Sequence, residues 1–274
     1  MARGFILTFH SQNIAGNAYA NNDHVALDEC LTFLRTSRLP ILRLLDVVRC
    51  LRAGSFATLP DKFVCITFDD GCDFDWHDLR KGEWGVQKSM FAILRKHSVR
   101  ILGPWWLRKA CATSFVIASS EARRDISLTA LGDPGLMSDT WWRQAQASGL
   151  LDIGTHGWNH VHPAVREMQA RPDLMEKFDR LRSIDDAVLQ VKDAFHVIHR
   201  IAGGESATIF AYPYGQVSDY LADEYLPAQH EILGAVTAEA TPLTERSNPW
   251  RLPRYICGWN WKSNDDLVAI LAGG

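Results

Sequence analysis

The sequence predicts a single α/β domain over residues 1–274, most simply a barrel. Short apolar, strand-like runs alternate with helix-patterned segments along the whole chain, with no internal repeat and no low-complexity linker. The clearest of these runs, Phe63 to Phe68, is continuously apolar, as suits a strand of a parallel sheet covered on both faces. Several runs end in polar, chemically capable residues, Asp69-Asp70-Gly71 foremost. In α/β folds ligands bind beyond the carboxyl ends of the strands, so these endings mark one functional rim.

Taken in order, Gly4 to Phe9 reads as a first strand ending at His10. Ser11 to His24 is polar and turn-prone. Helical spacing covers Ala26 to Leu34, a short strand is expected at Leu39 to Leu42, and a second helix at Leu44 to Leu51 stops before Gly54 and Pro60. After the strand ending at Phe68, Asp73 to Trp84 has no period and reads as a long loop, with Asp73, Asp75 and His77 solvated on it. Val86 to His97 is helical, Pro104-Trp105-Trp106 is an aromatic connector, and Thr113 to Ala118 is a strand. Ser138 or Asp139 caps a helix that stops at Gly149. Leu150 to Ile153 is the strand that delivers Thr155-His156. Ser183, with Asp186 three residues on, caps a helix carrying Ile184, Val188, Val191, Phe195 and Ile198 as far as Gly203-Gly204. Strands at Thr208 to Tyr212 and Ile232 to Val236 and a helix at Asp265 to Leu271 complete the chain.

Composition narrows the class. With 47% hydrophobic and 22% charged residues the chain can bury a large core, and a net charge of -3 gives no electrostatic reason to expect nucleic acid. No apolar segment reaches the roughly 18 residues needed to span a bilayer. Met1-Ala2-Arg3-Gly4 runs straight into a strand without a signal peptide's apolar stretch, which favours the cytoplasm. The six cysteines are scattered without a Cys-x-x-Cys pair and read as reduced, mostly buried thiols. Cys72, beside the carboxylate pair, has no basic neighbour in sequence to activate it and reads as a packing residue.

Two adjacent carboxylates repel unless a cation lies between them or one keeps its proton. The bland alternative for Asp69-Asp70-Gly71 is an Asp-Gly turn. Thr155-His156-Gly157-Trp158-Asn159-His160 sets two imidazoles four residues apart just after a strand, either as a ligand pair or as two ordinary polar histidines on a loop. On a helical turn that spacing points both rings the same way, and neutral imidazole is a good zinc ligand. Gly157 stands where a zinc peptidase helix needs Glu, which excludes that class. Asp70 is the natural third ligand; His162 reads as a bystander, since three protein ligands leave a position open for catalysis. Phe210-Ala211-Tyr212-Pro213-Tyr214-Gly215 closes a later strand with a proline-fixed turn, where the Tyr214 N–H can face a developing oxyanion.

Together and in this order these pieces resemble the polysaccharide deacetylase family, which includes chitin, peptidoglycan and nodulation-factor deacetylases. Thr67-Phe68-Asp69-Asp70-Gly71 is similar to its first motif, His156-x-x-x-His160 to its second and Tyr212-Pro213-Tyr214-Gly215 to its third. Ala112 to Val116 is similar to the strand after the first motif, and the resemblance runs from Phe5 to about Arg254. It implies a distorted (β/α) barrel of about seven strands and hydrolytic removal of an N-acetyl group from an acetylated saccharide. It also implies one divalent metal ion, usually zinc, on Asp70, His156 and His160, with Asp69 as general base acting on a metal-activated water.

The sequence departs from the family at three points. The third motif often opens with an Arg that orients the base, and Ala211 stands there; Arg254, in Leu252-Pro253-Arg254, is the substitute expected from a later strand. The late leucine-x-histidine that supplies the general acid has no counterpart after His230. His10, which resembles the histidine of an N-terminal Tyr-His motif in some members, is the candidate acid, with His24 competing. Gly157 replaces the usual Ser or Thr of the second motif. Trp76, Trp158 and Trp259 lie near the motifs as candidate sugar platforms. Two other readings stay open: a hydrolase of a small non-sugar amide, and an inactive carbohydrate-binding relative, against which the intact Asp69, Asp70, His156 and His160 speak.

Overall fold

The computed structural model describes residues 2–98 and 109–273, so the Pro104-Trp105-Trp106 connector lies outside the described residues. Seven parallel strands form the main sheet: β1 (Arg3–Phe9), β2 (Lys62–Phe68), β5 (Ala112–Val116), β6 (Leu151–Thr155), β7 (Ile209–Ala211), β8 (Gly234–Val236) and β9 (Tyr255–Ile256). Their order is β8-β7-β6-β5-β2-β1-β9. The small hairpin of β3 (Leu79–Arg80) and β4 (Val86–Gln87) stands apart. The last segment of chain draws the two edges of the sheet together. Leu252 bridges to Val236 beside β8, while Tyr255 and Ile256 pair with Leu7 and Thr8 of β1. The distorted (β/α) barrel is therefore the fold.

Strand side chains alternate between faces, and the core divides accordingly. Phe5, Leu7 and Phe9 of β1 face the helices, whereas Ile6 joins Phe63 and Cys65 of β2, Phe115 of β5, Ile209 and Ala211 of β7 and Val236 of β8 in a separate inner cluster. Helix α2 (Leu44–Arg52) packs into that cluster through Leu44, Leu45, Val47 and Val48. Above these apolar layers the same parity brings Thr8 and Thr67 into contact at 2.9 Å between hydroxyls, and then His10 and Asp69. A period of two thus carries each strand from an apolar interior to a polar rim.

Among the described residues the α-helices are α1 (Asp23–Thr36), α2, α3 (Met90–His97), α4 (Ser120–Leu131), α5 (Trp142–Ser148), α6 (Ile184–Ala187), α7 (Ala194–Ala202) and α8 (Asn264–Gly273). A π-helical turn, Val188–Asp193, joins α6 to α7. No helix among the described residues is long and apolar enough to cross a membrane. The six cysteines are free thiols.

Several local expectations need correction. Leu39 to Leu42 makes one isolated bridge, Ile41 to Val64, and no strand. The helix expected from Val86 begins at Met90, because the Ser89 hydroxyl caps it and Val86–Gln87 pairs as strand. Neither Ser138 nor Asp139 caps α5 with its side chain; the Ser138 hydroxyl is spent on Asp73. Helix α4 has no counterpart in the expectations, although Ser119 before it and Gly132 after it are a regular cap and stop. Asp73 and Asp75 are buried, not solvated.

Gly154 on β6 makes room for the Phe115 ring: a Cβ there would lie 2.5 Å from Phe115 Cδ1. Gly154→Ala is expected to cost about 1–3 kcal/mol through overpacking, lowering Tm by about 2–4 °C per kcal/mol. Adding Phe115→Leu should restore part of the loss. Thermal unfolding of the single and double variants checks this; equal melting of Gly154→Ala and wild type would count against the packing.

Candidate active site

The C-terminal ends of the strands surround a cavity of about 330 Å³, lined among others by His10, Asp69, Asp70, His156, His160, Tyr214 and Arg254. The three candidate metal ligands and Asp69, Tyr214, Arg254 and His10 are therefore in one place. His24 is not among the lining residues: its Nδ1 lies 2.6 Å from Lys88 O and its Nε2 2.8 Å from Ser11 O, so backbone carbonyls occupy both ring nitrogens. It is a buried fastener for the 11–24 segment, which corrects its candidacy as the acid.

Asp69 ends β2 on the inward parity and meets Arg254 in a two-pronged ion pair, Nη1 to Oδ1 at 2.7 Å and Nη2 to Oδ2 at 2.9 Å. Arg254 is 1% exposed and its Nε donates to Thr237 O at 2.7 Å, which fixes the plane of the fork. Burial works to raise the Asp69 carboxyl, but the charges of Arg254 and His156 and the two hydrogen bonds outweigh it and hold Asp69 well below the ordinary carboxylate range. Arg254 supplies from β9's approach what Ala211 cannot, and the Ala211 backbone has a different task.

His156 Nδ1 lies 2.9 Å from Ala211 O, which assigns the ring proton to Nδ1 and leaves Nε2 bare in the neutral tautomer. That Nε2 faces Asp70 Oδ1 at 3.6 Å, and His160 Nε2 faces the same oxygen at 3.6 Å. Among the described residues these three are the set of His, Cys, Asp and Glu side chains whose donor atoms all lie within 4.8 Å of one another. A tetrahedral ion with bonds of about 2.1 Å needs donors about 3.4 Å apart. Burial and the neighbouring His156 push the His160 imidazole down to about 3, so it stays neutral there. A bare His156 Nε2 aimed at a carboxylate oxygen is electrostatically adverse by itself and favourable around a cation, and the His160 Nδ1, buried without a partner among the described residues, leaves that ring free to offer Nε2 in the same way. The residues fit a divalent metal ion.

The histidine pair does not reach this geometry on a helical turn. Gly157 has φ +79°, His160 φ +57° and Val161 φ +44°, so a left-handed turn swings His160 back beside His156, with ring centroids 4.7 Å apart. The π-helical turn braces that loop through buried Gln190, whose Oε1 accepts from Trp158 N at 2.9 Å and whose Nε2 donates to Asn159 Oδ1 at 2.8 Å. A Cβ at position 157 would lie 2.9 Å from Gln190 Oε1, so glycine suits the loop where the family has Ser or Thr.

Around this centre, the Tyr214 ring packs edge-on to His160 at 4.4 Å, and Tyr214 itself is left-handed at φ +58°. Gln12 donates its side-chain amide to Asp70 Oδ2, leaving Oδ1 for the histidine side; nothing in the sequence beyond its place two residues after His10 marks it. His10 Nδ1 is buried with no partner among the described residues, and its backbone N–H donates to Asp23 at 2.7 Å. Cys72 is buried with its Sγ against Leu136 O, and burial pushes its thiol up, in keeping with a packing role. None of Trp76, Trp158 and Trp259 lines the cavity; Trp76 packs on Phe91 and Trp141, and Trp259 is 84% exposed.

Residues 57–232, more than half of the chain, match the family model for polysaccharide deacetylase. The chain belongs to the polysaccharide deacetylase family. The match takes in Asp69, Asp70, His156, His160 and Tyr214 and leaves His10 and Arg254 outside it. No curated protein sequence is a recognisable relative of this deacetylase. Among solved structures, Streptococcus pyogenes deacetylase PplD in complex with acetate is 19% identical with a TM-score of 0.64, covering 98% of each chain. A de-N-acetylase from Aggregatibacter actinomycetemcomitans is 15% identical with a TM-score of 0.65, over 98% of this chain and 99% of that one. The BpsB deacetylase domain from Bordetella bronchiseptica is 16% identical with a TM-score of 0.57, over 93% and 96%. At such identities the likeness is one of fold.

Beneath the site the Asp73–Asp75 turn is stitched to the loop before α5. Asp73 accepts from Ser138 N at 2.7 Å and Trp141 Nε1 at 3.0 Å, and Asp75 accepts from Ser114 Oγ at 2.6 Å. Burial pushes the Asp75 carboxyl up to about 7 from 3.8, against the Ser114 hydrogen bond and with help from negative Asp70 and Asp73. Between about pH 4 and pH 7 the folded protein holds a proton that the unfolded chain has lost. Stability from this group therefore falls as pH rises through that window and levels off above it. In chelator-treated protein, Asp75→Asn should remove this decline, read from urea unfolding between pH 4.5 and 8. An unchanged slope would show that Asp75 does not hold the proton.

Proposed function

We propose that this deacetylase is a metal-dependent amide hydrolase that removes the N-acetyl group from an acetylated saccharide. The observation that carries the reading is the convergence of Asp70, His156 and His160 beside Asp69, all within the segment that matches the family, with Asp69 clamped by Arg254 from beyond it. The structure of PplD, a member of the same fold, holds acetate, the carboxylate that such a reaction releases.

Asp70, His156 and His160 would hold the ion; zinc suits two imidazoles and one carboxylate. A divalent cation there would polarise the amide carbonyl and bring the pKa of water down to about 7. Asp69 takes the proton that the attacking water gives up. Its own affinity for protons is low, so its contribution is orientation by the Arg254 fork and readiness in the ionised state. The Tyr214 N–H supports the oxyanion as the acyl carbon becomes tetrahedral. The C–N bond then breaks, and His10 delivers a proton to the leaving amine from the opposite side of β2.

Metal analysis separates ligand from base. His156→Ala and His160→Ala should lose bound metal, while Asp69→Asn should keep it near the wild-type level and lose about 10²–10⁴ in released acetate. Full metal in both histidine variants would place the ion elsewhere, and loss of metal in Asp69→Asn would exchange the roles of the two aspartates.

His10 is tested by the pH–rate profile. His10→Ala should lose the alkaline limb together with about 10²–10⁴ in kcat, whereas His24→Ala should leave the limb in place. If His10→Ala keeps that limb and most of its kcat, another group is the acid.

A further inference from the structure

We infer that the cavity receives the acyl side of its substrate against an aliphatic wall on the β5 side, and that this wall accepts acyl chains longer than acetyl. The inference rests on reading the site as an amide hydrolase, and it adds which amides the site prefers.

Strand order supplies the direction. Asp70 follows β2; β1 lies on one side of β2 and β5 on the other. His10 leaves the end of β1, and Arg254 and Ile256 come from the neighbouring β9. On the opposite side, the chain leaving β5 supplies Ile117, then Ile126, Ala130 and Leu131 from α4, then Met137 from the loop beyond it. In hydrolysis the water oxygen bonds to the acyl carbon, the C–N bond breaks, the amine leaves with a proton, and the acyl group leaves as a carboxylate. An amine protonated from His10 departs on the β1 side. The acyl substituent, on the other side of the carbonyl carbon, is then directed toward β5.

What waits there is aliphatic and already in place. Ile126 and Ala130 are one turn apart on α4 and share a face. Ile117, Ile126 and Met137 are buried, and Leu131 is half-buried. Met137 cannot swing away freely, since buried Arg123 donates to Met137 O at 2.8 Å and to Asp139 Oδ2 at 2.7 Å, with its guanidinium over the Trp142 ring. Leu136 is tied down as well, its N–H donating to Ser127 Oγ at 3.1 Å. An acetyl methyl would use little of a cavity of about 330 Å³, a size that falls within the about 300–1,000 Å³ of sites for whole small ligands. Each methylene moved from water onto such a wall stabilises the complex by about fourfold in affinity.

The test is calorimetric titration of the zinc-loaded full chain with straight-chain hydroxamates from acetohydroxamate to hexanohydroxamate. Affinity should rise about threefold to fourfold per methylene over at least the first three steps. Leu131→Gln, at a half-buried position, and Ala130→Phe, at an exposed one, should each lower the ratio of hexanohydroxamate to acetohydroxamate affinity at least tenfold, one by making the wall polar and the other by filling the space. Affinity that is flat or falling with chain length in the wild type, an absence of binding across the series, or an unchanged ratio in both variants overturns the inference. In parallel, free amine is measured from one amino sugar carrying acetyl, butanoyl or hexanoyl groups. Chain-length-dependent binding without release of amine from any of the three would keep the acyl wall and refute the hydrolase reading. Release from the acetyl compound with a flat binding series would do the reverse.

Discussion

The Asp69–Arg254 ion pair is the constraint on which the rest of the rim depends. Its partners are 185 residues apart, one at the end of β2 and the other just before β9. A buried carboxylate at that point is tolerable only with a partner of opposite charge and matched geometry, and the guanidinium fork supplies both. Taking away one member of such a pair typically costs about 3–5 kcal/mol, because the other stays buried and uncompensated. The pair therefore links closure of the barrel to readiness of the site. The chain that brings Arg254 inward is the same chain that touches β8 at Leu252 and β1 at Tyr255.

The second half of the rim relies on backbone carbonyls more than on charge. Ala211 O fixes the tautomer of His156, and Gln190 holds the loop that returns His160 to it. Asp69 is thus oriented by a side chain that comes just before β9, and the histidine pair by the backbone of β7 and an amide from a helix. This division suits the chemistry. The cationic neighbour favours a charged Asp69, whereas burial favours a neutral His160.

Much of this was legible in the sequence because strands buried on both faces read as unbroken apolar runs, and because the polar residues that end them are incongruous after such runs. The Phe63–Phe68 run and the motifs at Asp69-Asp70, His156-x-x-x-His160 and Tyr214 all fall at strand ends on one rim. Arg254 is expected from the family resemblance alone, because the third motif often opens with an Arg where this chain has Ala211. What stayed hidden was tertiary. Asp73 and Asp75 look like any polar loop until Ser138, Trp141 and Ser114 are seen closing over them. His24 looks as reactive as His10, and only the carbonyls of Ser11 and Lys88 show it to be engaged. Helix α4 is faint in the sequence because much of it is polar and exposed, and its caps at Ser119 and Gly132 are the available signal. Gln12 carries no signature because an amide that steadies a carboxylate can come from any loop that passes near it.

Backbone conformation shows where the fold departs from its own local preferences. Of the seven non-glycine residues with positive φ among the described residues, four are Asp70, His160, Val161 and Tyr214. They stand just beyond β2, β6 and β7, at the rim around the cavity. Left-handed backbone costs about 1–2 kcal/mol for a residue with a Cβ, and more for a β-branched one such as Val161. Regular strands would carry their side chains alternately up and down past the rim, so β2 and β6 could not turn Asp70, His156 and His160 toward one point without such bends. Gly71 and Gly157, at φ +69° and +79°, share the same duty next to Asp70 and His156. The apolar interior below, packed by Phe63, Phe115 and α2, is what lets the rim hold conformations that it would not adopt alone. The strain is thereby converted into aim: these bends bring Asp70, His160 and the Tyr214 ring that packs on His160 to the space beside His156.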